Sequence, residues 1–207
     1  MTMTLKTLLA SAVAAAALSA SAAQAADFSF VGTLPAENDV LFFDFSVGSE
    51  STVTLRTYSY AGGTNAAGTV IARGGFDPIL SLYDVATGLK VGQNDDGGCD
   101  LVAGDPTTGR CYDTYLESTL ATGYYRVAVT AFSNFGPPSL DGEFENDGLF
   151  DGRTADFAFD VLNVGAATGP GAGAVPETAT WGMMIAGFGM MGGAMRTRRR
   201  STKVSFA

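Results

Sequence analysis

Between Asp27 and Val164 the chain places apolar residues at alternate positions in short runs broken by turn-forming clusters. Leu41, Phe43, Phe45 and Val47 alternate with Phe42, Asp44 and Ser46, a period of two that predicts a half-buried strand. Val53, Leu55 and Thr57 alternate in the same way with Thr52, Thr54 and Arg56, and Ile79–Tyr83, Tyr124–Phe132 and Phe157–Val161 repeat the pattern. Ala61-Gly62-Gly63-Thr64-Asn65 and Asp84-Val85-Ala86-Thr87-Gly88 separate them. Glycine tolerates positive φ, and Asn and Asp hydrogen-bond their own backbone, so such clusters read as turns. No segment in this region sustains a helical stripe. Many short strands with turn-rich joints predict an all-β domain, an antiparallel β-sandwich of the jelly-roll-like kind.

At both ends the alternation gives way to continuous apolar runs. Lys6 precedes the run Leu8–Leu18, interrupted only by Ser11, and Ala23-Gln24-Ala25 follows as a small-residue cleavage site. Residues 1–25 therefore read as a secretory signal peptide in helical form, removed by signal peptidase to leave a chain beginning near Ala26. The alternative is a short amphipathic or buried N-terminal helix, against which stand the lack of a polar face and a small-residue site placed where a peptidase needs it. Near the other end, Trp181 is followed by a Gly/Met-rich run to Met195 and then by Arg196, Arg198, Arg199, Arg200 and Lys203. The fifteen residues Trp181–Met195 would reach roughly 22 Å as a helix, against a hydrocarbon core of about 30 Å. A transmembrane helix over 179–195 with snorkelling arginines closes most of that gap, and the basic cluster places its end in the cytoplasm.

The stretch Pro176 to Arg200 resembles a PEP-CTERM sorting signal, the tail handled by exosortases of Gram-negative bacteria. The matching pieces are Pro176-Glu177, Trp181, the Met-rich run with Gly187-Phe188-Gly189, and Arg198, Arg199 and Arg200. Thr178 stands where the name-giving motif usually has a second proline. The resemblance implies a sorting tail over 175–203 that arrests the protein in the inner membrane. An exosortase-type enzyme then cuts near Pro176-Glu177, and the product passes to the cell surface or beyond. An ordinary uncut anchor is the alternative. Residues 165–174, rich in Gly, Ala and Pro, read as a flexible linker ahead of that tail.

Without its ends the 207-residue chain keeps about 150 residues at 26–174, one domain of ordinary size. Charge narrows what that domain can meet. From Asp27 to Glu177 lie all 21 acidic residues but only six of the 12 basic ones, a formal balance of −15. Such a surface repels nucleic acid and favours solubility and divalent cations. Cys99 and Cys111 are the only cysteines, and in an exported chain an even pair at short spacing reads as a disulfide, contributing roughly 3 kcal/mol.

Three segments of the body carry a second resemblance. They are Phe76-Asp77-Pro78-Ile79-Leu80-Ser81-Leu82-Tyr83-Asp84, Asn94-Asp95-Asp96-Gly97-Gly98, and Leu120 to Val129. Together they resemble the bacterial pre-peptidase C-terminal domain, which implies a β-sandwich over residues 26–164, and some members of that family bind calcium. The residues point the same way. Calcium takes six to eight oxygen ligands from a flexible loop, and closely spaced Asp and Asn with Gly supply them. Asp95, Asp96 and Asp100 with Asp77 are the candidate ligands, with Asp105 as a further oxygen source. A second acidic loop runs from Asp141 to Asp147 and continues to Asp151, presenting Glu143, Glu145 and Asp147 to one side. The alternative for both loops is that Asp, Asn and Gly simply make good turns.

Catalysis has little to work with. The chain has no histidine, which removes Ser-His-Asp and Cys-His systems and His-liganded zinc. A carboxylate-dependent hydrolase remains an alternative, since acidic residues are abundant. Tyr58, Tyr60, Tyr112, Tyr115, Phe132 and Phe135 lie in or beside predicted turns, so a carbohydrate-binding module acting on exopolysaccharide is another. The leading expectation is a non-enzymatic exported protein of the cell surface or extracellular matrix, in a biofilm or exopolysaccharide context that the tail resemblance implies.

Overall fold

The computed structural model describes residues 25–170 together with the backbone of Val175–Pro176. The expected signal peptide up to Gln24, the transmembrane helix 179–195, and Glu177, Trp181, Arg198, Arg199 and Arg200 lie outside the described residues. Within the described residues there is no helix, and so none long and apolar enough to cross a membrane.

Among the described residues twelve strands account for the regular structure: β1 (Ala26–Thr33), β2 (Leu41–Val47), β3 (Ser51–Tyr58), β4 (Gly63–Thr64), β5 (Val70–Ile71), β6 (Pro78–Asp84), β7 (Lys90–Asn94), β8 (Tyr115–Leu120), β9 (Gly123–Ala131), β10 (Asp156–Val164), β11 (Ala166–Thr168) and β12 (Val175–Pro176). One antiparallel sheet runs β12-β1-β10-β3-β8, the other β11-β2-β9-β6-β7, and β4-β5 form a small ribbon. The long strands pair in nested fashion, β1 with β10, β2 with β9, β3 with β8 and β6 with β7.

The alternation read along the chain is the alternation between core and outer faces. Phe43, Phe45 and Val47 of β2 point inward with Leu80 and Leu82 of β6 and Val127 and Val129 of β9. Phe28, Phe30, Val53, Leu55, Phe157, Phe159 and Val161 meet them from the other sheet. Phe43 joins the two layers, its ring centroid 4.9 Å from Phe30 and 5.0 Å from Phe159. Aromatic pairs of this kind add about 0.5–1.5 kcal/mol beyond the area they bury. The two sheets thus pack face to face as a β-sandwich.

The central strands are buried on both faces because loops cover the outsides. On β6, Ile79, Ser81 and Tyr83 lie outside the core cluster yet are fully buried. The segment after β9 folds over them, and the Tyr83 hydroxyl donates to the Pro137 carbonyl at 3.1 Å. Gly136 permits that approach: a Cβ there would sit 2.3 Å from the Tyr83 hydroxyl. On the other sheet, Asp160 of β10 is fully buried and accepts from Ser29 Oγ at 2.6 Å and from the Ala66 N–H at 2.8 Å. Those bonds hold the loop between β4 and β5 against the sheet.

Ala166–Thr168, inside the stretch expected as a linker, instead pair with Ser46–Asp44 as β11. Val175 and Pro176 pair with Ser29 and Phe28 at the free edge of β1. Composition sets only the entropy of such a segment. Unpaired N–H and C=O groups on the sheet edges supply bonds that a chain leaving β10 can reach.

Candidate metal centre

Antiparallel pairing of β6 with β7 explains how distant acidic residues meet. In that register Leu80 faces Asn94, so the residue before β6 lies beside the residues after β7. Asp77 precedes β6 and Asp95 and Asp96 follow β7, and one carboxylate oxygen from each falls within 4.8 Å of the others. Asn94 fixes the turn: its Nδ2 donates to the Asp96 carbonyl at 3.1 Å, and its Oδ1 accepts from the Tyr115 N–H at 3.1 Å. Gly97 carries the chain past this point under Val102. A Cβ at Gly97 would stand 2.6 Å from Val102 Cγ1, so no other residue fits without displacement.

The disulfide Cys99–Cys111 closes the loop beyond Gly97, with Cα atoms 5.1 Å apart. The loop returns through Asp113, whose buried carboxylate accepts from the N–H groups of Tyr60 at 3.2 Å and Ala61 at 2.8 Å, and also from Ser59 N–H. The strand and loop around Tyr60 are thereby tied to the disulfide loop and set beside the acidic turn.

Of the four residues expected to hold calcium, three converge. Asp100 is exposed on the turn that follows Gly98 and is not part of the group. Asp105 is also elsewhere: it is buried and accepts from Arg153 Nη2 at 3.1 Å and from the Thr107 N–H at 2.7 Å. Glu143, Glu145 and Asp147 form no cluster of three ligand-type groups among the described residues. Their loop is instead latched through its backbone, the Asn146 N–H donating to Asn134 Oδ1 at 2.8 Å.

The electrostatics of the three carboxylates are unfavourable without a counter-charge. Burial first, then Asp96, Asp95 and Asp113, push the Asp77 carboxyl from an ordinary 3.8 up to about 8, against the opposing pull of Arg153. Burial and then Asp96 push Asp95 up to about 6. Asp96 is raised by burial, with Arg110 opposing. Oδ1 of Asp77 and Oδ1 of Asp95 are shielded from solvent and have no hydrogen-bond partner. A buried acceptor in that state costs about 1–3 kcal/mol, more when charged. A hard divalent cation answers both problems at once, because it ligates carboxylate oxygens and cancels their repulsion. The donor set is all oxygen, which suits calcium.

Beside the carboxylates opens a cleft of about 500 Å³, walled by Tyr60, Tyr112, Phe132, Leu149 and Phe150, with Asp151 and Arg153 completing it. Arg153 lies over the Tyr60 ring, Cζ 3.5 Å from its centroid, and donates from Nε to the Gly75 carbonyl and from Nη2 to the Tyr60 carbonyl. Of the aromatics singled out from the sequence, Tyr60, Tyr112 and Phe132 converge here. Tyr58 is buried at the end of β3, Tyr115 bonds Glu117 in β8, and Phe135 packs edge-on against Phe132 with centroids 5.9 Å apart. The second acidic loop read from the sequence reaches the cleft through Asp151, whereas sequence reasoning missed Arg153 and Leu149. Nothing in the local pattern around them signals a site, since they reach the cleft only because Arg153 is anchored across three loops. A second hollow of about 360 Å³, beside Tyr124 and Ala167, has only the Asp44–Arg126 ion pair for charge.

No protein-family model matches the chain, and no curated protein matches it.

Proposed function

We propose that this chain is a non-enzymatic, exported cell-surface or matrix protein whose β-sandwich binds calcium through Asp77, Asp95 and Asp96. The observation that carries the calcium reading is the pair of shielded, unpartnered oxygens on Asp77 and Asp95, within a group of three carboxylates. One bound cation joins the start of β6 to the end of β7 and neutralises the charge that otherwise opposes folding there. Its contribution at a calcium concentration a hundredfold above Kd is about 2.7 kcal/mol.

The jelly-roll assignment belongs to the same proposal and is supported by the nested pairing, in which β1-β10-β3-β8 and β2-β9-β6-β7 divide a rolled hairpin between two layers. Kinship with the pre-peptidase C-terminal domain rests on the segments around Asp77, Asp95 and Tyr124. Export rests on residues 1–25, and sorting by an exosortase-type enzyme rests on Pro176, Glu177, Trp181 and the terminal arginines. A structural or adhesive role in an exopolysaccharide matrix fits an acidic, soluble body delivered in this way.

Calcium titration with melting followed by far-ultraviolet circular dichroism tests the metal site. Millimolar calcium raises the melting temperature of the wild type and leaves Asp77→Asn and Asp96→Asn nearly unmoved. A wild-type melting curve indifferent to calcium refutes it. Mass spectrometry of the protein from its native cells tests the sorting reading, with ends expected near Ala26 and Pro176-Glu177. An uncut polypeptide found in the cytosol would overturn it.

A further inference from the structure

We infer that the cleft beside the carboxylates is a saccharide site, in which the bound calcium and the aromatic wall together hold a neutral, hydroxyl-rich glycan. The inference rests on the calcium reading of Asp77, Asp95 and Asp96 and assigns a ligand class to the same site. The cleft, at about 500 Å³, has the size of small-molecule sites, which run roughly 300–1,000 Å³.

Two of its apolar walls are exposed, and its rings are braced. Phe132 is 41 % and Leu149 56 % exposed, an arrangement that leaves apolar surface in water beside a charged floor. Phe135 steadies Phe132 edge-on, and Tyr112 meets Tyr60 in an edge contact, at a centroid distance of 4.9 Å, with the Arg110 guanidinium over its ring at 5.2 Å. Rings fixed in advance lose little entropy when the C–H face of a sugar stacks on them.

The cation supplies the polar half of the recognition. Three carboxylates each giving one oxygen leave calcium, which takes six to eight, with places to fill. Two adjacent sugar hydroxyls can fill two of them as a chelate. Asp96 is the exposed member of the group, so the centre borders the open cleft rather than a closed core.

Charge selects among ligands. The lining holds four carboxylates, Asp151 included, against Arg153 and one divalent cation, so a residual negative charge disfavours uronic acids and other anions. Arg153 does not offset this, because its Nε and Nη2 are committed to the Gly75 and Tyr60 carbonyls and to Asp105. An ammonium ligand is disfavoured as well, since Arg153 already covers the face of Tyr60.

Beads carrying mannan, a neutral galactan, or alginate provide the test, using the full chain with calcium or with EDTA and following thermal melting in parallel. Retention on mannan or galactan in calcium is expected, with release by EDTA and little retention on alginate. Tyr112→Ala and Phe132→Ala each lower retention at least tenfold while keeping the calcium-induced melting shift, which also reports that they fold. The inference is overturned by no retention on either neutral polymer while the wild type still shows its calcium shift. Retention on alginate alone, or retention indifferent to EDTA and to both substitutions, overturns it equally. Absence of the melting shift in the wild type is a different failure: it removes the calcium reading, and the inference falls with it.

Discussion

Replacing Asp77 by Asn removes a charge that the fold holds at a cost, and the direction of the effect depends on pH and calcium. In the unfolded chain this carboxyl ionises near 3.8; in the folded chain, burial and then Asp96, Asp95 and Asp113 push it up to about 8. Well below 3.8 both states carry the proton and the folded state keeps its full stability. As pH rises, the unfolded chain releases a proton the folded chain retains, and stability falls by up to about 1.36 kcal/mol per pH unit. The loss is complete once pH passes about 8. Undiminished, the shift amounts to about 5–6 kcal/mol, but part of the group faces solvent, whose screening reduces this to about 2 kcal/mol. Asn is nearly isosteric and can donate to the neighbouring carboxylates. In EDTA, Asp77→Asn is therefore more stable than wild type by about 2 kcal/mol at pH 8, a rise of roughly 6 °C for a domain of this size, and nearly equal to it at pH 4. In saturating calcium the order reverses, because only the wild type gains the binding energy. Urea and thermal unfolding of both proteins from pH 4 to 8 measure the difference directly. A wild type more stable than the variant in EDTA at pH 8, or a difference that stays flat across the range, refutes the reasoning.

Three further outcomes follow from the packing. Replacing Cys99 and Cys111 by Ser opens a loop with a sequence separation of 12 and costs about 3 kcal/mol, read as a lower urea midpoint; a midpoint equal to that of the oxidised wild type contradicts it. Asp113→Ala leaves the N–H groups of Ser59, Tyr60 and Ala61 without their acceptor and costs about 2–4 kcal/mol, with faster amide exchange at those three positions as its signature. Phe159→Ala empties the space against Phe43 and Phe30 and costs about 3–5 kcal/mol by the same urea measurement, whereas a loss under 1 kcal/mol would show that the two sheets close over the gap.

The apolar strands were readable and the polar edge strands were not. Alternation over Leu41–Val47 coincides with β2, and those over Val53–Thr57, Ile79–Tyr83 and Phe157–Val161 fall inside β3, β6 and β10. β7 (Lys-Val-Gly-Gln-Asn) and β8 (Tyr-Leu-Glu-Ser-Thr-Leu) escape such a reading, because one side of an edge strand meets water and polar residues there cost nothing. The site divides in the same way. Asp95 and Asp96 stand out as an acidic turn, and Asp100 looks equal to them along the chain. The return of the chain under Val102 and the disulfide turns Asp100 outward, and a one-dimensional spacing does not encode that turn.

Periodicity, charge and the two cysteines are local or additive properties, so the linear order of residues was enough to set an all-β body, an acidic surface and a short covalent loop. Which carboxylates converge, and which aromatics share a cleft, depended on pairings between residues far apart in the chain. β6 beside β7 brings Asp77 to Asp95, and Arg153 stretched over Tyr60 brings the rim segments together. Such meetings follow from strand register and side-chain packing, and these exist only once both sheets have closed on their common core.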